Sequence, residues 1–135
     1  MLDPGLPVYI VDTHALYWYR TNPSRLGPAA DAVFRLADAG GAHIIVPAIV
    51  IAELYYLTQK FGPPASTSAM LEDINNSREF VFSELGQRQL KTMEQVEGVS
   101  EMHDRLIAAE VLAHHAPLIS KDEVLRGIAA LDVIW

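Results

Sequence analysis

The sequence has no cysteine, no long apolar run and few basic residues. Zero cysteines in 135 residues exclude disulfides and thiolate metal sites, and they fit a reducing compartment. No stretch approaches the roughly 18 apolar residues that cross a membrane. The N-terminal segment also lacks a positive region followed by an apolar stretch and a cleavage site. We therefore expect a cytoplasmic protein that makes no contact with a membrane.

Several common catalytic motifs are also missing. The chain has no phosphate-cradling glycine loop, no G-x-S-x-G turn and no H-E-x-x-H helix. These absences exclude the corresponding nucleotide-binding and serine-hydrolase sites, and they disfavour a zinc enzyme.

Acidic residues outnumber basic ones, 17 against 10, for a net charge of −7. Nucleic-acid-binding proteins usually carry a basic patch, whereas the ten basic residues here are dispersed along the chain. Charge alone therefore argues mildly against tight nucleic-acid binding. A cluster of acids that holds a metal ion would account for the excess, and such a protein would bind a polyanion weakly without the ion.

The pattern of apolar residues predicts an α/β protein. Half of the residues are hydrophobic and a fifth are charged, which is typical of a globular chain, and the length suits a single domain over 1–135. Strands are predicted at 7–11, 43–46, 80–82, 117–119 and 131–135. Helices are predicted at 13–19, 28–39, 48–60, 66–75, 87–96 and 101–115, and a short one after a capping box formed by Ser120 and Glu123. Alternating strands and helices predict an α/β/α sandwich around a mainly parallel sheet of four to five strands.

Four acidic residues lie where the chain otherwise turns apolar. Asp12 ends the first strand, and Asp122 closely follows the strand at 117–119. Glu53 shares a helical face with apolar residues, and Asp104 opens the apolar stripe of the helix at 101–115. Carboxylates are rarely buried unless they are paired or bound to metal. If the fold brings the four together, Mg²⁺ or Mn²⁺ would relieve their mutual repulsion.

Each acid also has a simpler explanation. Asp12 and Asp122 could cap or begin the helices that follow them. Asp104 could face solvent or pair with Arg105. Glu53 has no basic residue within a helical turn, and a lone buried glutamate should protonate or find a partner.

Other residues near the acids are harder to interpret. His14 and His103 each neighbour a candidate acid and could support it indirectly. Four aromatic residues could stack on bases, although aromatics beside leucine and isoleucine are more often part of a core or an interface. They are Trp18, Tyr19, Tyr55 and Tyr56.

The chain resembles the PIN-domain nucleases, and in particular the VapC-like toxins of type II toxin–antitoxin pairs. The matching segments run in order along the sequence: Val11-Asp12-Thr13-His14-Ala15-Leu16, Ile51-Ala52-Glu53-Leu54, His103-Asp104-Arg105-Leu106-Ile107-Ala108-Ala109, Pro117-Leu118-Ile119-Ser120-Lys121-Asp122 and Val133-Ile134-Trp135. The resemblance covers residues 7 to 135. It implies a PIN-like sandwich, a homodimer and an antitoxin protein that blocks the site.

Position by position, the resemblance makes the four acids both the catalytic and the metal-binding residues. They are Asp12, Glu53, Asp104 and Asp122. Ser120 falls where the family often has a hydroxyl residue, and Thr13 and His14 complete the polar surroundings of the metal. His14 replaces the Asn or Ser of many members, and the resemblance assigns no role to Glu123.

The sequence therefore predicts a Mg²⁺- or Mn²⁺-dependent endoribonuclease that cleaves RNA with a metal-activated water. Its products would carry 5′-phosphate and 3′-hydroxyl ends. Three alternatives remain open: a PIN-type nuclease of RNA processing, a hydrolase of small phosphate esters, and a non-catalytic protein-interaction module in which the acids only cap helices.

Overall fold

A computed structural model describes residues 2–135 of the chain. Its centre is a sheet of five parallel strands in the order β3-β2-β1-β4-β5. The strands are β1 (Val8–Val11), β2 (His43–Pro47), β3 (Phe80–Ser83), β4 (Leu118–Ile119) and β5 (Val133–Ile134). The predicted α/β fold is confirmed, and the sheet proves to be parallel throughout.

Seven α-helices flank the sheet within residues 2–135. They are α1 (Thr13–Thr21), α2 (Pro28–Asp38), α3 (Ala48–Phe61), α4 (Thr67–Asn76), α5 (Gln87–Met93), α6 (Met102–His114) and α7 (Glu123–Arg126). A short 3-10 turn at Pro23–Arg25 separates α1 from α2. No helix in the described part of the chain is long and apolar enough to span a membrane.

The sheet is buried because helices cover it. Every residue of β2 is buried, and Ile10 and Val11 of β1 are fully buried. Strands of a parallel sheet covered on both faces are expected to form continuous β-branched and apolar runs, as these do. Short connections lead from each of β1, β2 and β4 into the next helix. They keep the residues that follow these strands at the carboxyl edge of the sheet.

The strand order creates a switch point between β1 and β4. From β1 the chain continues outward to β2 and β3, and it then returns to add β4 and β5 on the other side of β1. Parallel sheets bind ligands at the carboxyl edge where the order reverses in this way. The residues that follow β1 and β4 therefore meet at this position.

Two local predictions need correction. Helix α5 ends at Met93 rather than at residue 96, and the Arg105 guanidinium donates a hydrogen bond to the Met93 carbonyl, 2.5 Å away. The predicted capping box is also wrong, because α7 is capped by Asp122. Ser120 is fully buried and bonds to Asp12 instead, so tertiary contacts override its local capping potential.

Candidate active site

Two of the predicted acids, Asp12 and Asp122, lie side by side at the switch point. Asp12 follows β1 and Asp122 follows β4, the neighbouring strand. Ser120 links them: its hydroxyl donates to Asp12 Oδ2 over 2.6 Å and accepts from the Asp122 backbone N–H over 3.0 Å. A hydroxyl can both donate and accept, so one buried serine orients both acids.

Glu53 reaches the same region from α3. The Thr13 hydroxyl donates to Glu53 Oε1 over 2.9 Å, and Thr13 is almost fully buried. Helix α1 begins at Thr13, directly after Asp12. One hydrogen bond thus fixes the position of Glu53 relative to Asp12.

Asp104 lies in the first turn of α6, which Glu101 caps. Glu101 accepts a hydrogen bond from the Asp104 backbone N–H over 2.8 Å, and its other oxygen lies 2.6 Å from His103 Nδ1. Within residues 2–135 the Asp104 carboxylate itself accepts no hydrogen bond. The alternative pairing of Asp104 with Arg105 does not form, because that guanidinium binds the carbonyls of Val99 and Met93.

All four acids line one cavity of about 420 Å³. The other lining residues are Thr13, His14, Tyr56, Leu57, Lys60 and Phe61. The structure therefore brings together the four acids that were picked out along the sequence. Tyr56 is largely exposed at the rim of the cavity.

The electrostatics of the cavity are those of unneutralised carboxylates. Burial raises the pKa of Asp12, although the hydrogen bonds from Ser120 and Thr13 oppose that shift. Burial also raises the pKa of Glu53, against the hydrogen bond from Thr13. The pKa of Asp104 rises to about 6, first because of burial and then because of the charge of Asp122. Perturbed pKa values of this kind concentrate at functional sites.

The four acids are chemically suited to a hard divalent cation, because each offers carboxylate oxygens. In the described part of the chain, however, no three histidine, aspartate or glutamate side chains are close enough to share one ion. The acids thus surround the cavity without converging on a point. Binding of an ion would require side-chain rotation, for which Asp104 is free of hydrogen bonds that would oppose it.

The simpler explanations of two acids also hold. Asp12 accepts a hydrogen bond from the Thr13 backbone N–H and caps α1, and Asp122 accepts one from the Leu125 N–H and caps α7. Capping uses one carboxylate oxygen of each residue. It fixes the two side chains at the cavity, and capping and ligand binding are therefore compatible.

Sequence reasoning missed the part that Glu101 plays. Its position three residues before Asp104 was a usable signal, since Glu101 caps α6 and its charge contributes to the raised pKa of Asp104. His103 was noted as a neighbour of Asp104, and the structure shows that it contacts Glu101. Burial raises the pKa of Glu53, and the charge of His103 is a smaller effect that opposes this rise. Nothing in the sequence indicated that Lys60 and Phe61 belong to the site, because only the fold brings the end of α3 to the cavity.

The four aromatic residues named above lie in different surroundings. The Tyr19 ring stacks on Phe34, with centroids 4.2 Å apart, and therefore belongs to the packing of the core. Trp18 is half-buried and meets the ring of Trp135 edge-on at 5.7 Å. Tyr55 and Tyr56 are exposed on α3.

Solved structures with the same fold come from toxin–antitoxin systems. VapBC2 from Rickettsia felis, bound to a DNA fragment from its promoter, has a TM-score of 0.69 and 16% identity, with 94% of this chain and 97% of that chain covered. A toxin–antitoxin complex from Klebsiella pneumoniae has a TM-score of 0.66 and 15% identity, with coverage of 94% and 96%. VapC20 of Mycobacterium tuberculosis, a sarcin–ricin loop cleaving toxin, has a TM-score of 0.62 and 11% identity, with coverage of 92% and 98%.

At these identities the likeness shows a shared fold, and it confirms the predicted resemblance to VapC-like toxins at that level. No curated protein sequence matches this chain. A sequence profile does match: that of the PIN domain, over residues 9–131. This match covers nearly the whole sheet and all four acids, and the chain therefore belongs to the PIN domain family.

Proposed function

We propose that the protein is a metal-dependent endoribonuclease whose catalytic carboxylates are Asp12, Glu53, Asp104 and Asp122. The observation that supports this most directly is their arrangement: four acids from distant parts of the sequence line one cavity. Membership of the PIN domain family, whose members are nucleases, agrees with this chemistry. Burial and mutual repulsion leave the cavity in need of positive charge.

The four acids would hold Mg²⁺ or Mn²⁺, and the neighbouring polar residues would keep them in place. Bound there, the ion supplies charge that polarises a phosphate and lowers the pKa of the attacking water. Ser120 keeps Asp12 oriented, and Thr13 does the same for Glu53. His14, exposed at the cavity wall, is placed to contact the substrate.

The biological role that we propose is that of the toxin in a toxin–antitoxin pair, acting as a homodimer and held inactive by a cognate antitoxin. Support comes from the solved structures with this fold, several of which are toxin–antitoxin complexes. One of them is described as a toxin that cleaves the sarcin–ricin loop. An RNA substrate is therefore the first to test.

The catalytic proposal is tested by following cleavage of a mixed-sequence single-stranded RNA with Mg²⁺, Mn²⁺ or EDTA. We expect Asp104→Asn to lower the rate by more than about 100-fold, since it removes a proposed metal ligand. Glu97→Gln, at an exposed site on another part of the surface, should leave it unchanged. The products should carry 5′-phosphate and 3′-hydroxyl ends. Cleavage that persists in EDTA or in the Asp104→Asn variant would disprove the proposal.

Two further measurements separate this proposal from the alternatives. Calorimetric titration with Mg²⁺ or Mn²⁺ that shows no binding would leave the interaction module, in which the acids serve as caps. Expression with and without the neighbouring small gene distinguishes a toxin from a processing nuclease. Growth arrest that the partner relieves supports the toxin, and normal growth in both cases contradicts it.

A further inference from the structure

Next to the acidic cavity, three residues from separate parts of the chain form a basic cluster on an aromatic ring. The Arg25 guanidinium carbon lies 4.3 Å from the centroid of the Trp18 ring, and Lys121 Nζ lies 5.6 Å from the same centroid. Trp135 packs edge-on against Trp18 and supports it. We call Trp18, Arg25 and Lys121 the Trp18 cluster.

The cluster adjoins the carboxylates on one side. His14 lines the cavity, and its ring centroid lies 5.5 Å from that of Trp18, one turn further along α1. Lys121 directly precedes Asp122. A chain that crosses the cavity and continues beyond His14 would meet the Trp18 cluster next.

The two cations have no acidic partner among the residues that the structure describes. Arg25 and Lys121 are both exposed, and neither forms a hydrogen bond or an ion pair with a side chain in residues 2–135. In a protein with a net charge of −7, two such cations that share one ring form a local positive site. A guanidinium over an aromatic ring is held in place and still presents its N–H donors outward.

Resting on the function proposed above, we propose that the Trp18 cluster binds a backbone phosphate of the RNA next to the phosphate that is cleaved. Arg25 donates hydrogen bonds to the phosphate oxygens, Lys121 adds a second positive charge, and Trp18 holds both in place. Both cations lie over the ring, which favours phosphate over base as the ligand. The cluster thus offsets the repulsion between the acidic surface and the polyanion.

The proposal predicts a loss of RNA affinity with a reduced dependence on salt. In an Asp104→Asn background, which keeps the RNA intact, we would measure fluorescence anisotropy with a 5′-labelled mixed-sequence single-stranded RNA and Mg²⁺. Arg25→Gln and Lys121→Gln should each weaken binding by about three- to ten-fold. Each should also lower the slope of log K against log salt by about 0.7. Arg25→Lys should retain most of the affinity, and Lys91→Gln, an exposed cation on α5, is the matched control.

In the otherwise wild-type protein, Arg25→Gln and Lys121→Gln should raise the KM for RNA, with little change in kcat. Thermal unfolding shows whether each variant is folded, and Lys121→Gln decides the question if Arg25→Gln is not. Wild-type KM and salt slope in the Lys121 variant would overturn this inference and leave the nuclease proposal standing. Variants that bind RNA normally but lose self-association would also overturn this inference and leave the nuclease proposal standing, since the cluster would then be a protein interface. Failure of the unsubstituted protein to bind or cleave RNA would overturn both proposals.

Discussion

Asp104 and Glu110, two acids on helix α6, differ in whether their carboxylates have hydrogen-bond partners. In the cavity, Asp104 accepts no hydrogen bond in residues 2–135, and its pKa rises to about 6. On the same helix, Glu110 is only 2% exposed, but it accepts a hydrogen bond from the Ser83 hydroxyl over 2.9 Å. Its Oε2 also lies 3.1 Å from His114 Nε2. We call Glu110, Ser83 and His114 the Glu110 cluster.

We interpret the difference as one between a structural cluster and a proposed ligand site. The Glu110 cluster provides its own partners and joins the end of β3 to the last turns of α6. The cavity gathers four carboxylates and leaves their repulsion unrelieved, a cost that a protein of ordinary stability tolerates only where something else supplies the charge. Burial of an acid alone therefore does not identify a functional site in this fold, because the more deeply buried acid is the one already satisfied.

The largest expected effect is on stability, through the Glu110 cluster. Glu110→Ala should lower the free energy of unfolding by about 3 kcal/mol, because it leaves Ser83 and His114 without their buried partner. Urea unfolding measures this loss, with Glu97→Ala at an exposed site as the control. The folded variant should keep its RNA cleavage rate. A selective loss of cleavage in a fully folded Glu110→Ala protein would remove the distinction between the two groups.

A metal ion should stabilise the protein through the cavity and not through the Glu110 cluster. Mg²⁺ at 100 times its Kd should add about 2.7 kcal/mol to the free energy of unfolding, and EDTA should remove that gain. The gain should be smaller in Asp104→Asn and undiminished in Glu110→Ala. Thermal unfolding with and without Mg²⁺ measures it. Equal gains in wild type and Asp104→Asn would show that Asp104 takes no part in binding.

The smallest effect is a pH dependence of stability that comes from Asp104 in the absence of metal. Its pKa is about 6 in the folded protein against 3.8 for the free group, so the folded state binds the proton more tightly. The destabilisation is absent below pH 3.8 and complete above pH 6, and stability falls as pH rises between the two. Because Asp104 is partly exposed, we expect less than about 1 kcal/mol.

Comparison of wild type with Asp104→Asn by urea unfolding at several pH values isolates this contribution. The variant, which cannot ionise at this position, should gain stability relative to wild type as pH rises from 4 to 6. A constant difference between the two proteins across this range would contradict the raised pKa.

The sequence predicted the helices and the strands well, and it singled out the four acids, because each has a local signal. β-Branched runs mark β1 and β2, and the charges of Asp12 and Glu53 stand out in apolar segments. The end of α5 and the capping role of Ser120 were predicted wrongly. Both depend on side chains distant in sequence, Arg105 for the helix end and Asp12 for the serine.

The sequence by itself predicted a mainly parallel α/β fold and singled out the four acids, because periodicity and the placement of charge are properties of short segments. Only the tertiary structure decided which acids lie together and which already have hydrogen-bond partners. Nothing in the sequence set Glu110 apart from other helical residues, but the fold places Ser83 of β3 beside it. Arg25 and Lys121 are far apart in the sequence, but both lie over Trp18. The physical reason is that electrostatic energy depends on distance in space, which the order of residues along a chain does not specify.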